Sequence, residues 1–486
     1  MQTGFTRRDL LRSGALGIVG AGASSPLGAV SAVSIPDAAT FGRAKSLIVL
    51  FLYGAPSQID TLDPKPNAPA ELRGEFKPIA TSIPGIAASE LLPTVARNLH
   101  RVCLLRSMTH SSNNHAVSVA LSGRRESIPA IEANGNDPRH QPYFGSVLEY
   151  LWAQWGVSMV DTGVPVNMVL PWPLNQKTDP GRWQHHAAWL GMAYNPIVPT
   201  FVGAGSRETG DPSIKGSTPI LTRFDPWDGV TPESTLEFAG AALPADVSKA
   251  RLDHRRRLLE RFDGGPRLQS PAVGAFNQQR SLALSMIDSP RVTQALDVTR
   301  EPSAVRDRYG LTMFGQCALA ARRLVEIGVK VVTVFWDTWT DNNAAWDTHF
   351  NHHPRLKQGL CPKLDQILPA FLDDMESRGM LDDTLVLVIS EHGRTPTLAN
   401  SPGGGREHWS GAYWGMFFGA GIKTGQVVGA TDKHAAYPVS RPTHPNDILA
   451  TAYHLLGFDP ATTSIPDRTG RPIRLTEGSV VNELLA

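Results

Sequence analysis

The sequence predicts a layered α/β fold: a mostly parallel sheet with helices on both faces. Three observations carry this. "SLIVLFLY" (Ser46–Tyr53), "VKVVTVFW" (Val329–Trp336) and "TLVLVIS" (Thr384–Ser390) are continuously apolar rather than alternating. A strand of that kind is covered on both faces, as in a parallel sheet between helix layers. The last two runs each follow an amphipathic helical pattern closed by glycine, and helix then strand, repeated, is how α/β layers are built.

Taken in chain order, the amino terminus reads "TRRDLLRSGALGIVGAGASSPLGAVSA", with Arg7 and Arg8 ahead of a weakly apolar, Gly/Ala-rich stretch that ends in small residues at Ala32. Residues 1–32 are therefore expected to be a twin-arginine (Tat) type export signal, engaging the Tat machinery and sending the mature chain to the periplasm or beyond. Its glycines argue against a buried helix. No other run approaches the ~20 apolar residues that span a bilayer, so no membrane span is expected.

Residues 43–486 are expected to be one α/β domain. After the first strand come helices in "YFGSVLEYLWAQWG", "LTMFGQCALAARRLVEIG", "LDQILPAFLDDMESRG" and "PNDILATAYHLLG", each stopped by glycine. Residues 199–300 are richer in Gly, Pro and charge and read as an insertion or cap, its basic helix "ARLDHRRRLLERFD" being a solvated face.

Composition excludes several classes. The 486 residues are 41% hydrophobic and 19% charged, with net charge +1, which gives no electrostatic case for nucleic acid. Cys103, Cys317 and Cys361 are odd in number and widely spaced, so they read as buried small residues and not as a disulfide framework. No G-x-S-x-G follows a strand and no phosphate-loop motif occurs, while "GIVGAG" lies in the export signal.

What remains is a recurrence of acids and imidazoles just after the strands. "GAPSQIDTLDPKP" brings Asp60 and Asp63, "DTWTDNNAAWDTH" brings Asp337, Asp347 and His349, and the third strand runs into Glu391-His392. "GGGREHW" then adds Glu407 and His408. In open α/β sheets the carboxyl ends of the strands form the ligand crevice. Mixed O/N ligation there suits one or two divalent ions such as zinc or manganese. "THFNHHP" offers a rival local site, but Pro354 argues against a regular helix, so His352 and His353 are expected to be exposed.

"GAPSQIDTLDPKP", "LLRSMTHSSNNH", "WDTH", "SEHGRTP", "GREHW" and "NDILATAYHLLG", in that order across nearly the whole mature chain, resemble the Tat-exported domain-of-unknown-function 1501 family. That family resembles the alkaline phosphatase and sulfatase superfamily, whose enzymes hold paired metal ions at the strand ends. The resemblance implies an alkaline-phosphatase-like sheet. It also implies one ion on Asp347, His349 and His408 and another on Asp60 (or Asp63), Glu391 and His392. The chain departs from the pattern in the single residue between Asp347 and His349. It departs again at Ala55 and Gln58, where the family's first loop usually reads "GGPSHxD". Arg394 and Arg406 are candidate anion clamps or structural ion pairs, Arg394 with Glu391 being one such pair.

The superfamily's nucleophile stands at a helix start. The matching helix here ends at Ser122-Gly123, and counting back ten residues reaches Asn113, a carboxamide unable to form a covalent ester. Asn113 is expected to face the metals at a helix amino terminus with no activated serine in reach, whereas a slip of one or two residues would instead present the hydroxyl of Ser111, Ser112 or Thr109. His110 and His115 flank the segment as ligands, a general acid or structural groups. The function implied is an exported metal-dependent hydrolase of anionic phosphate or sulfate esters. A binding or scaffold protein that keeps the fold without turnover is the alternative.

Overall fold

In the computed structural model the described residues are 39–135, 137–158, 162–174, 186–207, 224–238, 246–263, 280, 284, 290–339 and 345–486. The expected signal, 1–32, lies outside them.

Seven strands form the main sheet: β1 (Ser46–Leu52), β2 (Cys103–Met108), β3 (Asn167–Leu170), β4 (Val331–Trp336), β5 (Thr384–Ile389), β6 (Tyr413–Phe418) and β7 (Gln426–Val428), in the spatial order β7-β2-β6-β5-β1-β4-β3. All neighbours are parallel except those of β6, which runs against both β5 and β2. The three apolar runs are thus adjacent central strands, and every residue of β1, β4 and β5 is buried.

Period-two alternation splits β1 between two cores. Ile48, Leu50 and Leu52 join the layer containing helices α3 (Met313–Glu326) and α4 (Cys361–Ser377). Leu47, Val49 and Phe51 face helices α2 (Phe144–Gln154) and α5 (Pro445–Leu455) on the other side. The helix ends follow their residues. Thr312 caps α3 by accepting from the Gly315 amide at 3.2 Å, and Gly328 and Gly379 take positive φ after α3 and α4. Within 199–300, Trp227, Val230, Leu236 and Val292 pack into the same core as α3, while Leu258, Leu259 and Phe262 of the basic helix are exposed. Among the described residues no helix is long and apolar enough to cross a membrane.

Register aligns the chemistry. Phe51 pairs with both Phe335 and Ile389, so β1, β4 and β5 end level, and Tyr413 opens β6 opposite Met108, the last residue of β2. The segments after β1, β2, β4 and β5, and the one before β6, therefore meet at one edge of the sheet.

Candidate metal centre

Gly54, just past β1, makes this meeting sterically feasible. Its φ is +89°, and a Cβ there would lie 2.3 Å from the Asp347 amide nitrogen. With no side chain in the way, the loop after β4 crosses over it, and the Gly54 amide donates to Glu391 Oε1 at 2.8 Å.

Asp347, His349 and His408 converge. Asp347 Oδ1 is 2.9 Å from His349 Nε2 and 3.2 Å from His408 Nε2, and the two Nε2 atoms are 3.0 Å apart. Ligand atoms of His115, His392 and His408 also lie within 4.8 Å of one another, and His115 Nε2 is 3.5 Å from Asp347 Oδ2.

The hydrogen bonds on the outer nitrogens decide which way the lone pairs point. His115 Nδ1 donates to Glu391 Oε1 at 2.8 Å, His349 Nδ1 to Glu407 Oε2 at 2.7 Å, and His392 Nδ1 to the Gly393 carbonyl at 2.8 Å. In the His392 ring, Nε2 is then an acceptor aimed inward. Acceptor nitrogens face one another beside an Asp347 Oδ1 that takes the Arg394 guanidinium, and extra protons or a bound ion would sit between the rings. His392 Nε2 and Glu391 Oε2 are buried without any hydrogen-bond partner among the described residues. Ligands about 2.0–2.2 Å from one ion stand roughly 3 Å from each other, the separation found here. Outward contacts to carboxylate or carbonyl are how metal-ligating histidines are oriented. By donor type, spacing and orphaned atoms, the residues fit a divalent ion of the zinc or manganese kind.

The electrostatics agree. Burial raises the Asp347 carboxyl, but the charges of Arg394 and His115 outweigh it and hold the group well below the carboxylate range. Burial, with His115, His408 and Arg394 adding to it, keeps His392 neutral far below its ordinary range, and burial likewise lowers His408. His115 moves the other way: burial opposes its proton, but Asp347 and Glu391 prevail. An anionic oxygen beside the neutral imidazoles of His392 and His408 is a ready ligand set.

Several expected residues stand elsewhere. Asp60 is not with Glu391 and His392. Its carboxylate accepts from Arg406 Nε at 2.6 Å, His352 Nε2 at 2.9 Å and Ser57 Oγ at 2.5 Å, all in the interior. Asp63 is held by Lys65 at 3.0 Å and Arg106 at 3.4 Å, so neither acid of the first loop joins the cluster. Asp60, His352 and His353 do bring ligand atoms together, but the Arg406 guanidinium already supplies the cation there. His352 and His353 are buried, not exposed. Pro354 lies in the first turn of the short helix His352–Arg355, where its missing N–H costs no hydrogen bond.

Both arginines are committed to structural contacts. Arg394 donates to Asp347 Oδ1 and to the Gly54 and Ala55 carbonyls, and Arg406 to Asp60 and the carbonyls of Leu72, Thr395 and Pro396. The partner of Arg394 is thus Asp347, while Glu391 takes the Gly54 amide and His115. Gln58 braces the same strand tip, accepting from the Arg394 amide at 3.0 Å and donating to its carbonyl at 2.8 Å.

Asn113 is not at a helix start. Helix α1 (Val117–Leu121) begins only at Val117, with Ala116 as its cap, because the chain is still turning at 109–115 to bring His115 inward. Asn113 is exposed, and its Oδ1 accepts from the Ser410 amide at 2.7 Å and hydroxyl at 2.8 Å; Ser111 is exposed as well. His115 enters the cluster from the segment expected to supply the nucleophile. A histidine flanking a strand-end loop was its only signal in the sequence.

A family model described as a protein of unknown function (DUF1501) matches residues 44–485. The chain belongs to this family. No curated protein matches it. Similar solved structures include the PsFucS1 sulfatase from Pseudoalteromonas sp., at 11% identity over 92% of this chain and 73% of that one, with a TM-score of 0.39. The lipoteichoic acid synthase LtaP from Listeria monocytogenes is similar at 11% identity over 92% and 78%, TM-score 0.35. The phosphonate monoester hydrolase SpPMH from Silicibacter pomeroyi is similar at 12% identity over 91% and 76%, TM-score 0.30.

Proposed function

We propose that this chain is an exported, metal-dependent hydrolase of phosphate or sulfate esters. The supporting observation is the inward-facing set Asp347, His349, His392 and His408 at the carboxyl edge of the sheet. A divalent ion held there supplies Lewis-acid polarisation of an ester oxygen and steadies charge on the leaving group. The chain's own groups hold that set in place. Glu407 orients His349, Glu391 orients His115, and Arg394 fixes Asp347. With alanine at the helix cap, the ester is attacked by water directly and no covalent ester forms on the protein. The paired arginines and the small-residue stretch to Ala32 support Tat export to the periplasm.

The same alanine favours a second reading, an exported binding protein that has lost turnover. One experiment separates the two. Zinc- or manganese-loaded protein is assayed against aryl phosphate, phosphonate and sulfate esters. The hydrolase reading expects turnover that a chelator and His408→Ala each abolish. Metal bound with no turnover of any ester would favour the binding protein. Export is tested by fusing residues 1–38 to a reporter, where replacing Arg7 and Arg8 by lysine should strand it in the cytoplasm.

A further inference from the structure

Past His115 the chain runs on into a recess. Ser118 of α1, whose Cα lies within about 12 Å of that of His115 by chain length alone, lines a cavity of about 370 Å³ with residues of the loop after α1. The far side of the recess is tied to the cluster as well. The Arg125 carbonyl accepts from His444, whose ring is 6.2 Å from that of His110, and His110 Nε2 donates to the Glu391 carbonyl at 2.7 Å. Recess and cluster therefore share residues 110–125 as a wall.

The recess has no net charge, since Arg124, Arg125 and Arg139 are matched by Glu126, Glu132 and Glu477. A second anionic group of a substrate would gain little there. What the recess offers is donors and acceptors set close together. Arg124 Nε reaches Gln141 Oε1 at 3.3 Å and its Nη1 reaches Glu477 Oε1 at 3.4 Å, both long contacts. Arg124 Nη2 and Gln141 Nε2 donate to no group among the described residues. The Glu477 carboxylate takes the Arg125 amide at 3.1 Å and keeps acceptor sites to spare. Beside these groups, Ile128 is 56% exposed and Ile131 half-buried, forming an apolar wall.

We propose that this recess is a saccharide subsite, holding a neutral, hydroxyl-rich ring of the ester's organic group while the anionic ester lies at the cluster. The inference rests on the hydrolase reading above and names its substrate class. Each sugar hydroxyl donates once and accepts twice, so neighbouring hydroxyls call for a donor and an acceptor side by side. Arg124 and Gln141 supply the donors and Glu477 the acceptor. The C–H face of the ring packs on Ile128 and Ile131. The cavity exceeds the roughly 300 Å³ at which small-molecule sites begin. A peptide is the poorer fit, because its main chain docks along a sheet edge and none of the lining residues lies in a strand.

The test applies the full chain, loaded with zinc, to an array of neutral and sulfated oligosaccharides with phosphopeptides alongside, and titrates the saccharide retained best. Neutral saccharides should be retained, and equally so after a chelator. Arg124→Ala and Gln141→Ala should each weaken binding about ten-fold, the worth of one or two hydrogen bonds, without lowering the melting temperature. Retention of no saccharide, or of phosphopeptides alone, would overturn the proposal without needing a variant. So would folded variants that bind as the parent does, or binding of sulfated saccharides alone that the chelator removes. Saccharide binding without turnover of any ester would overturn the hydrolase reading alone. Turnover of aryl esters with no saccharide bound would overturn the subsite alone.

Discussion

The guanidinium of Arg406 closes on the carboxylate of Asp60, Nε to Oδ2 at 2.6 Å, with both side chains shielded from solvent. His352 adds a second contact at 2.9 Å. Against the resulting positive field burial raises the carboxyl's affinity for a proton, but Arg406 and His352 prevail and Asp60 stays ionised. The first-loop aspartate thus holds down the "GREHW" loop that delivers His408.

Asp60→Asn should leave a buried guanidinium facing a neutral amide, a loss of roughly 3–5 kcal/mol. Urea unfolding measures it, and zinc uptake at the His115–His408 cluster should persist in the folded fraction. If the variant stays fully stable but loses an ion, Asp60 is a ligand after all.

Ala55 sits at φ +69°, where an L side chain is strained. Ala55→Gly should raise stability by up to about 1 kcal/mol, the relief exceeding glycine's extra freedom in the unfolded chain. A lower urea midpoint for the variant would mean that the Ala55 methyl packs well enough to offset its backbone.

Stability should fall in acid before the carboxylates titrate. Burial holds His110 and His352 neutral down to about 4, although the Glu391 carbonyl and Asp60 respectively oppose it. Unfolded, each imidazole binds its proton near 6.5. The unfolded state therefore holds more protons between these values, and stability present above the upper one is lost as pH falls toward the lower. A shift of this size corresponds to about 3 kcal/mol per group. Melting in chelator from pH 7.5 to 4 checks it, and a flat profile would show that these rings carry protons in the fold.

Sequence alone determined the layers of this protein. Unbroken apolar runs can satisfy themselves only between two helix sheets, and a glycine after each helical pattern ends the helix wherever the chain goes next. Both signals are local, which is why β1, β4 and β5 were legible as central strands. The convergence of Asp347, His349 and His408 was legible for a related reason, since residues just past parallel strands share an edge. Pairings between loops were decided by the tertiary structure. Asp60 and Glu391 both follow central strands, but Arg406 reaches the first from 346 positions away, and His115 reaches the second from 276. A loop acid goes to whichever cation packing brings within 3 Å, because burial makes an unpaired charge far costlier than any local preference. For the same reason His115, hidden among loop residues in the sequence, entered the cluster, while Asn113 two positions earlier turned out to solvent.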